Sequence, residues 1–238
     1  MVDLDGQLRL HEGFRIESVR IGGEGLPVLV IDNFLSNPQI LVEYAALHCR
    51  FESVSDAFYP GVRAPIPPIY CFALRAFLGD AIAQAFGLEG SGVTGELSHF
   101  SIVTTPPGKL SIPQRMPHFD TTNPKQLALL HYLCGPEHGG TSFYRHRRSH
   151  FECIDEVRRP VYGNAVTEDL AILGAPPARY ICGDDPMFER IACFEAAFNR
   201  VLIYRSIDLH SADIRPGFHF DGNPRTGRLT ANTFFYYR

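Results

Sequence analysis

The chain has 238 residues, of which 45% are hydrophobic and 20% charged, and its formal net charge is −4. This length supports one good-sized core or at most two small ones, and the lack of a basic surplus argues against nucleic-acid binding through bulk electrostatics. The longest apolar runs are too short to span a bilayer. The amino-terminal residues form no apolar signal segment, and six scattered cysteines without C-x-x-C spacing suit a reducing compartment. We therefore predict a soluble cytoplasmic protein without nucleic-acid or membrane partners.

The amino-terminal part, residues 1–96, predicts one strand and two helices. An extended apolar segment at 26–35 leads into a helix over about 38–48, whose apolar residues recur at helical spacing after capping residues and a proline. A second helix over about 70–86 has a broad apolar face, and Gly87 is placed to end it.

The remainder of the chain predicts short strands. Runs rich in β-branched and aromatic residues are separated by Gly, Pro and Asn turns, and they lie at 97–105, 126–134, 139–146, 200–206 and 228–237. Between them, about 147–195 predicts an insertion with short helices near 149–158 and 186–195. Helices followed by strands indicate an α+β domain built on an antiparallel sandwich or barrel.

One short motif, H-x-D at His118 and Asp120, contains two residues of the kind that bind metal ions. Residues i and i+2 of a strand point the same way, so one element can supply both ligands. Iron(II) oxygenases use two histidines and one carboxylate, and His210, at the polar end of an apolar strand, is the candidate third ligand. The alternatives are a polar turn for the motif and a surface position for His210.

Arg228 opens a strand in which Arg228, Thr230, Asn232 and Phe234 share one face. Burying an arginine at the inner end of a barrel strand is costly unless an anion meets it. A dicarboxylate that chelates iron at one end would place its other carboxylate there, in bidentate contact with the guanidinium. The alternative is a solvated arginine at the sheet edge.

The motifs H-x-D, HYLC, GGTSFY, NRVLIYRSIDLH and GRLTANTFF occur in an order that resembles the iron(II)/2-oxoglutarate-dependent oxygenases, in particular the prolyl-hydroxylase-like branch. The likeness spans roughly 97–237. It implies a double-stranded β-helix (jelly-roll, cupin-like) core with the amino-terminal helices packed outside it. It also implies Fe(II) as the metal, 2-oxoglutarate and dioxygen as cosubstrates, and hydroxylation of a C–H bond.

The resemblance also assigns roles to particular residues. It implies a metal triad formed by His118, Asp120 and His210. It also implies a 2-oxoglutarate site formed by Arg228, Thr230 and Tyr132. The basic residue follows the distal histidine at a greater distance than is usual in the family, so Arg225 is a rival of Arg228 for the anchoring role. The segment 58–65 is a candidate lid, and His131, which alternates with Tyr132, is expected to be a core or surface histidine.

We expect one oxygenase-like domain over 1–238. Two other functions stay open: a cupin-like metal-dependent enzyme that does not use 2-oxoglutarate, and a non-catalytic β-sandwich that binds a small anion. The substrate can be a small molecule, an amino acid or a peptide or protein side chain. The sequence contains no indication of the oligomeric state.

Overall fold

The computed structural model describes residue 4 and residues 6–53 and 59–238, which form two antiparallel sheets and three α-helices. The large sheet has the strand order β1-β2-β9-β6-β11-β5-β4-β3. Its strands are β1 (Arg15–Ile21), β2 (Leu26–Asp32), β3 (Glu52–Ser53), β4 (Gly61–Pro65), β5 (Val93–Val103), β6 (Gln126–Tyr132), β9 (Val201–Arg205) and β11 (Leu229–Tyr237).

The small sheet has the order β10-β7-β8, with β7 at Gly140–His146, β8 at Phe188–Glu195 and β10 at His210–Asp213. The backbone of His118 pairs with that of His210 through two N–H···O bonds of 2.9 Å each. The segment around His118 therefore continues the small sheet beyond β10.

The helices α1 (Gln39–His48) and α2 (Pro68–Phe86) pack on the outer face of the large sheet. Helix α2 begins after Pro67 and ends at Gly87, which adopts the left-handed conformation (φ 64°) that favours glycine. Its buried side chains, among them Tyr70, Leu74 and Ile82, join the main core with the outward-facing residues of the strands. The prediction of both helices is confirmed, although no side chain caps the start of α1.

Helix α2 has 19 residues and is long and apolar enough to cross a membrane by length and composition alone. Seven of its side chains are buried, and the three named above belong to the sheet-packed core. It is therefore placed as the core helix of a globular fold.

The inner face of the large sheet is covered unevenly. The small sheet packs on β2, β6 and β9, where Val30, Leu130 and Leu202 join Phe143 of β7 in one core cluster. Strands β5 and β11 extend beyond this cover, and Leu97 of β5 is 47% exposed on the inner face. The uncovered half of the sheet is the floor of an open cavity.

Two helices predicted between 147 and 195 were placed wrongly. The segment 149–158 contains turns and an isolated bridge from Cys153 to Asp208, and α3 begins only at Arg159 and ends at Leu173. The segment predicted as a helix near 186–195 is strand β8. The apolar residues of β8 have helix-like spacing, but every residue of β7 pairs with β8. This pairing makes the segment a strand in spite of its local pattern.

Candidate active site

Three side chains with metal-binding atoms converge where the small sheet meets the open cavity. One ligand atom from each of His118, Asp120 and His210 lies within 4.8 Å of the others. His118 Nε2 is 3.7 Å from Asp120 Oδ1, and His210 Nε2 is 3.9 Å from Asp120 Oδ2. Two histidines and one carboxylate are the donor set of a facial triad.

The backbone sets this geometry. The paired backbones of His118 and His210 bring the two imidazole rings to a centroid distance of 4.4 Å. The Asp120 amide donates to the Ser206 carbonyl over 2.7 Å, which ties the loop after the H-x-D motif to the loop before β10. Main-chain hydrogen bonds thus bring together two histidines that are 92 residues apart in sequence.

The tautomer of His210 follows from its partner. Nδ1 of His210 lies 2.9 Å from the carbonyl oxygen of Asp208, and a carbonyl can only accept, so Nδ1 carries the proton. Nε2 is then the ring nitrogen that faces Asp120, 3.9 Å from its Oδ2 atom. Such a bond to the second ring nitrogen is how metal-binding histidines are oriented in general.

The electrostatic surroundings keep His118 neutral. Burial, followed by the neighbouring His210 and Arg63, holds the pKa of His118 well below its usual range, although 30% of the side chain is exposed. A histidine must be deprotonated to bind a metal ion. The lowered pKa therefore leaves His118 neutral at physiological pH, in the form that can bind a metal ion.

The triad opens into a cavity of about 770 Å³ that also contains Arg228. Arg228 is only 3% exposed; its Nε donates to the His138 carbonyl over 3.1 Å and its Nη2 to the Gly140 carbonyl over 2.9 Å. Neither partner carries a negative charge, and no carboxylate of the described residues forms an ion pair with this guanidinium. A buried cation of this kind is costly without an anion.

The other predicted anion-site residues lie beside Arg228 but do not line the cavity. Thr230 is fully buried and its hydroxyl donates to the Ser101 carbonyl over 3.4 Å. The Tyr132 hydroxyl is 2.6 Å from Oγ1 of Thr141, a cavity-lining residue, and the Tyr132 ring centre is 5.7 Å from the Arg228 guanidinium carbon. Burial is the main reason that the pKa of Tyr132 is raised far above its usual range.

Arg225 lies elsewhere. Its guanidinium binds both carboxylate oxygens of Glu43 on α1, at 3.2 and 2.7 Å, and it does not line the cavity. Of the two arginines, Arg228 is therefore the one that lines the same cavity as the triad.

Several residues of the cavity were missed by sequence reasoning. Tyr59 and Arg63 come from the segment at 58–65, a candidate lid whose first residue is outside the described part of the chain. Residues 61–65 form strand β4 of the large sheet, so the lid interpretation is wrong for them. Tyr204 of β9 also lines the cavity, 4.8 Å from the His210 ring, and its burial and the nearby Asp120 hold its pKa well above normal.

The buried hydroxyls of Tyr59 and Ser101 lie close to Arg228. The two hydroxyls are close enough to interact with each other, and neither has another hydrogen-bond partner among the described residues. Burial raises the pKa of Tyr59 to about 12, although Arg228 and Arg63 act in the opposite direction. No sequence signal identifies these two residues, because only the pairing of β4, β5 and β11 brings them to Arg228.

Solved structures of other proteins share this fold. HygX from Streptomyces hygroscopicus, solved with nickel and 2-oxoglutarate bound, superposes with a TM-score of 0.50 at 11% identity, over 90% of this chain and 84% of that chain. An N-substituted L-amino acid dioxygenase from Burkholderia ambifaria AMMD gives a TM-score of 0.41 at 9% identity, over 96% of this chain and 95% of that chain. The superposition with HygX confirms the predicted resemblance to 2-oxoglutarate-dependent oxygenases at the level of the fold.

No curated protein sequence matches this chain significantly. A family model does match it, over residues 12–235, and the description of that model is a family of unknown function, DUF6445. Because the match spans nearly the whole chain, the protein belongs to the DUF6445 family.

Proposed function

We propose that this protein is an iron(II)- and 2-oxoglutarate-dependent oxygenase that hydroxylates a small molecule, an amino acid or a peptide side chain. The observation that carries the proposal is the presence of a His-His-Asp triad and a buried arginine without a counter-ion in one cavity. The two sheets around this cavity form, in this proposal, a double-stranded β-helix within one domain.

The residues present fit an iron(II) ion. His118 and His210 supply nitrogen donors and Asp120 a carboxylate, and the bond from His210 Nδ1 to the Asp208 carbonyl leaves Nε2 as the nitrogen of His210 that can bind the ion. A two-histidine, one-carboxylate set leaves coordination positions for other ligands. When bound, the ion supplies the activation of dioxygen that oxidises the cosubstrate and the substrate.

The residues around Arg228 fit one carboxylate of 2-oxoglutarate. The guanidinium provides the charge, and the buried hydroxyls of Tyr59 and Ser101, which have no hydrogen-bond partner other than each other among the described residues, provide further donors nearby. We retain Thr230 and Tyr132 in the proposed site as residues that hold this end of the cavity, through Ser101 and Thr141 respectively. Their part is to fix the donors in place rather than to touch the cavity directly.

The protein also controls access of water to the triad. Phe119, between the two ligands of the H-x-D motif, packs against Tyr162 of α3 at a ring distance of 6.0 Å. Tyr204 covers the His210 ring from the large sheet. These apolar surfaces orient the ligands and strengthen electrostatic interactions at the triad.

The presence of both Arg228 and the triad in one cavity disfavours the other two functions. A cupin-like enzyme without 2-oxoglutarate has no need of a buried arginine facing its metal. A β-sandwich that only binds an anion has no need of two histidines and an aspartate at the mouth of the same cavity. Intact metal ligands and an intact anion site in one cavity are what the oxygenase requires.

Purified protein tests the proposal directly. Anaerobic addition of Fe(II) should give one bound iron per chain, and addition of 2-oxoglutarate and air should then produce succinate, even slowly and without the true substrate. A His118→Ala, His210→Ala double variant is the matched control, because it removes only the nitrogen donors. Iron binding without any 2-oxoglutarate turnover would favour the cupin-like enzyme, and no iron binding would favour the anion-binding module.

A further inference from the structure

Two carboxamide side chains of the cavity lining have no partner in the part of the chain that the structure describes. Gln126 of β6 and Asn232 of β11 both line the cavity. Gln126 is only 8% exposed, and the amide oxygen of Asn232 is buried. Neither carboxamide forms a hydrogen bond with a described residue. Because buried polar groups are normally hydrogen-bonded, both side chains are available to a ligand that enters the cavity.

Another carboxamide of the same lining, that of Gln114, is satisfied within the protein. Its Oε1 accepts from the Ser111 amide over 2.9 Å, and its Nε2 donates to the Tyr59 carbonyl over 3.5 Å. These bonds give Gln114 a structural role. Their absence at Gln126 and Asn232 within the described chain therefore distinguishes these two positions from a glutamine that merely borders the cavity.

The large sheet places both free carboxamides on its inner face. Alternate residues of a strand point the same way, so Gln126 shares the face of Ala128, which belongs to the core cluster between the two sheets. Asn232 likewise shares the face of Phe234. Ala128 pairs with Phe234, and this apolar pair therefore lies between the two carboxamides along the strands.

The same apolar pair belongs to a row of side chains that crosses the sheet. Ala128 pairs with Tyr204 on one side, and the Tyr204 ring lies 4.8 Å from the ring of His210. Phe234 pairs with Leu97 on the other side, and Leu97 is 47% exposed. An apolar group on this row would bury Leu97 and lie beside the triad.

The main chain also connects Gln126 to the triad. The Ser206 amide donates to the Gln126 carbonyl over 3.0 Å, and the Ser206 carbonyl accepts from the Asp120 amide over 2.7 Å. Gln126 is thus connected through a single residue to the loop that carries Asp120. A ligand held by the Gln126 side chain therefore binds next to the metal ligands.

The chemistry of the two side chains identifies the matching group. A carboxamide donates through its nitrogen and accepts through its oxygen, and a secondary amide is complementary to both. A half turn of the carboxamide exchanges the two atoms without a change of shape, so the match does not depend on which atom faces the cavity. Neutral carboxamides form no ion pair, so they do not select the charged ends of a free amino acid.

We propose, on the basis of the proposed function, that the substrate has secondary amide groups on both sides of an apolar group. Its amides bind the carboxamides of Gln126 and Asn232, and its apolar group lies on Ala128, Phe234 and Leu97 beside the triad. Gln126 and Asn232 are then the residues that determine specificity. The substrate is an N-acylated amino-acid amide or a short peptide, and not a free amino acid.

Four matched probes test the proposal by calorimetry with the full chain, in the presence of Fe(II) and 2-oxoglutarate without air and in their absence. N-acetylleucine N-methylamide, the diamide, has two secondary amides around an isobutyl side chain. The diester of the same shape lacks the N–H donors, N-acetylglycine N-methylamide lacks the side chain, and leucine has charged ends. We expect the diamide to bind about fivefold or more tightly than each of the other three.

Two variants test the residues. Gln126→Met and Asn232→Leu each remove a carboxamide and keep a similar size. Each variant should bind the diamide about fivefold more weakly and the diester within twofold of the wild-type protein. Gln114→Met is the matched control, because the Gln114 carboxamide is already bonded within the protein, and it should leave the ratio of diamide to diester affinity within twofold. The thermal midpoint of each variant checks its folding.

Four results would overturn the proposal: a diester that binds as tightly as the diamide, tighter binding of leucine, no binding of the diamide at millimolar concentration, or a preference for the diamide that persists in both variants. The comparison of probes in the wild-type protein stands even if a variant fails to fold. A capped tripeptide with leucine at its centre separates the two sources of amides. Tighter binding of the tripeptide than of the diamide indicates a peptide substrate, and equal binding indicates an acylated amino acid.

The readout separates this inference from the proposed function. Probe binding is measured without turnover, whereas the oxygenase is tested by iron and succinate. A protein that converts 2-oxoglutarate but does not distinguish the probes contradicts only the substrate assignment. A protein that binds the diamide through Gln126 and Asn232 but ignores 2-oxoglutarate contradicts only the oxygenase.

Discussion

Two pairs of histidines in this molecule have opposite surroundings. His131 and His146 are at most 1% exposed, and both ring nitrogens of each are hydrogen-bonded within the protein. His118 and His210 instead border an open cavity, and each directs Nε2 toward the Asp120 carboxylate from almost 4 Å away, too far for a hydrogen bond.

The difference shows how the same side chain can serve stability or binding. The nitrogens of His131 bond the Tyr70 hydroxyl at 3.0 Å and the Asn199 side-chain oxygen at 3.2 Å, which leaves no lone pair for a metal ion. The Nε2 atoms of His118 and His210 are instead held near each other and near a carboxylate. The two histidines of the ligand set are thus recognised by Nε2 atoms that lie close together and close to a carboxylate, without a hydrogen bond to it.

The largest expected effect comes from Asp120→Ala, which removes one ligand of the triad. Iron binding should fall by at least about 100-fold, because two histidines alone leave the ion without its anionic ligand. Folding should be little affected, since the Asp120 side chain faces the cavity. Iron affinity measured anaerobically and the thermal midpoint give the two results.

Asp169→Ala is the matched variant for the other pair of histidines. Asp169 is 5% exposed and lies 3.0 Å from Nε2 of His146. Its loss leaves a buried nitrogen unsatisfied and should cost about 1–3 kcal/mol of unfolding free energy, with iron affinity unchanged. If Asp169→Ala removed the iron and Asp120→Ala did not, the two pairs would have been assigned to the wrong roles.

The next effect concerns the two arginines. Arg228→Ala should raise the 2-oxoglutarate KM by roughly 30-fold or more, because it removes a charge-assisted contact in a buried site. Arg225→Ala should leave KM within twofold, since Arg225 is exposed and paired with Glu43. Steady-state kinetics of both variants checks this, and the reverse ranking would transfer the anchoring role to Arg225.

The smallest effect is a pH dependence of stability caused by His131. Burial lowers the pKa of His131 to about 4, against an ordinary value of 6.5. Below pH 6.5 His131 becomes protonated in the unfolded chain and stays neutral in the folded chain down to about pH 4. The free energy of unfolding therefore decreases as the pH falls through this range. Between pH 6.5 and 5.5 this loss is about 1 kcal/mol.

His131→Gln isolates that contribution, because glutamine can keep hydrogen bonds but does not titrate. Denaturant unfolding across this pH range should show the stability difference between the wild-type protein and the variant shrinking by about 1 kcal/mol toward acid pH. A difference that stays constant would show that His131 is not kept neutral by burial.

Local pattern predicted much of this molecule. The helix that ends at Gly87 and the strands around Leu130 and Phe143 follow from periodicity and glycine placement, which depend on neighbours in sequence. The convergence of His118 and His210 was expected from a resemblance, because spacing alone cannot bring together residues 92 positions apart. The structure shows that main-chain pairing does so.

What could not be predicted depends on contacts between distant segments. Strand β8 has helix-like spacing, and only its pairing with β7 makes it a strand. Arg63 and Tyr59 precede the predicted core in sequence, and they reach the cavity because β4 pairs with β5, one strand from the edge of the large sheet. Pairing partners of edge strands are weakly encoded in local sequence.

The measurement that tests the central claim most directly is the affinity for 2-oxoglutarate with and without metal. Calorimetry under anaerobic conditions should show that Fe(II) strengthens 2-oxoglutarate binding at least tenfold in the wild-type protein. The same metal should give no strengthening in His210→Ala, and Arg228→Ala should bind weakly in both conditions. This is the expected result if the triad and Arg228 hold the two ends of one ligand. An affinity for 2-oxoglutarate that does not depend on the metal would contradict the account.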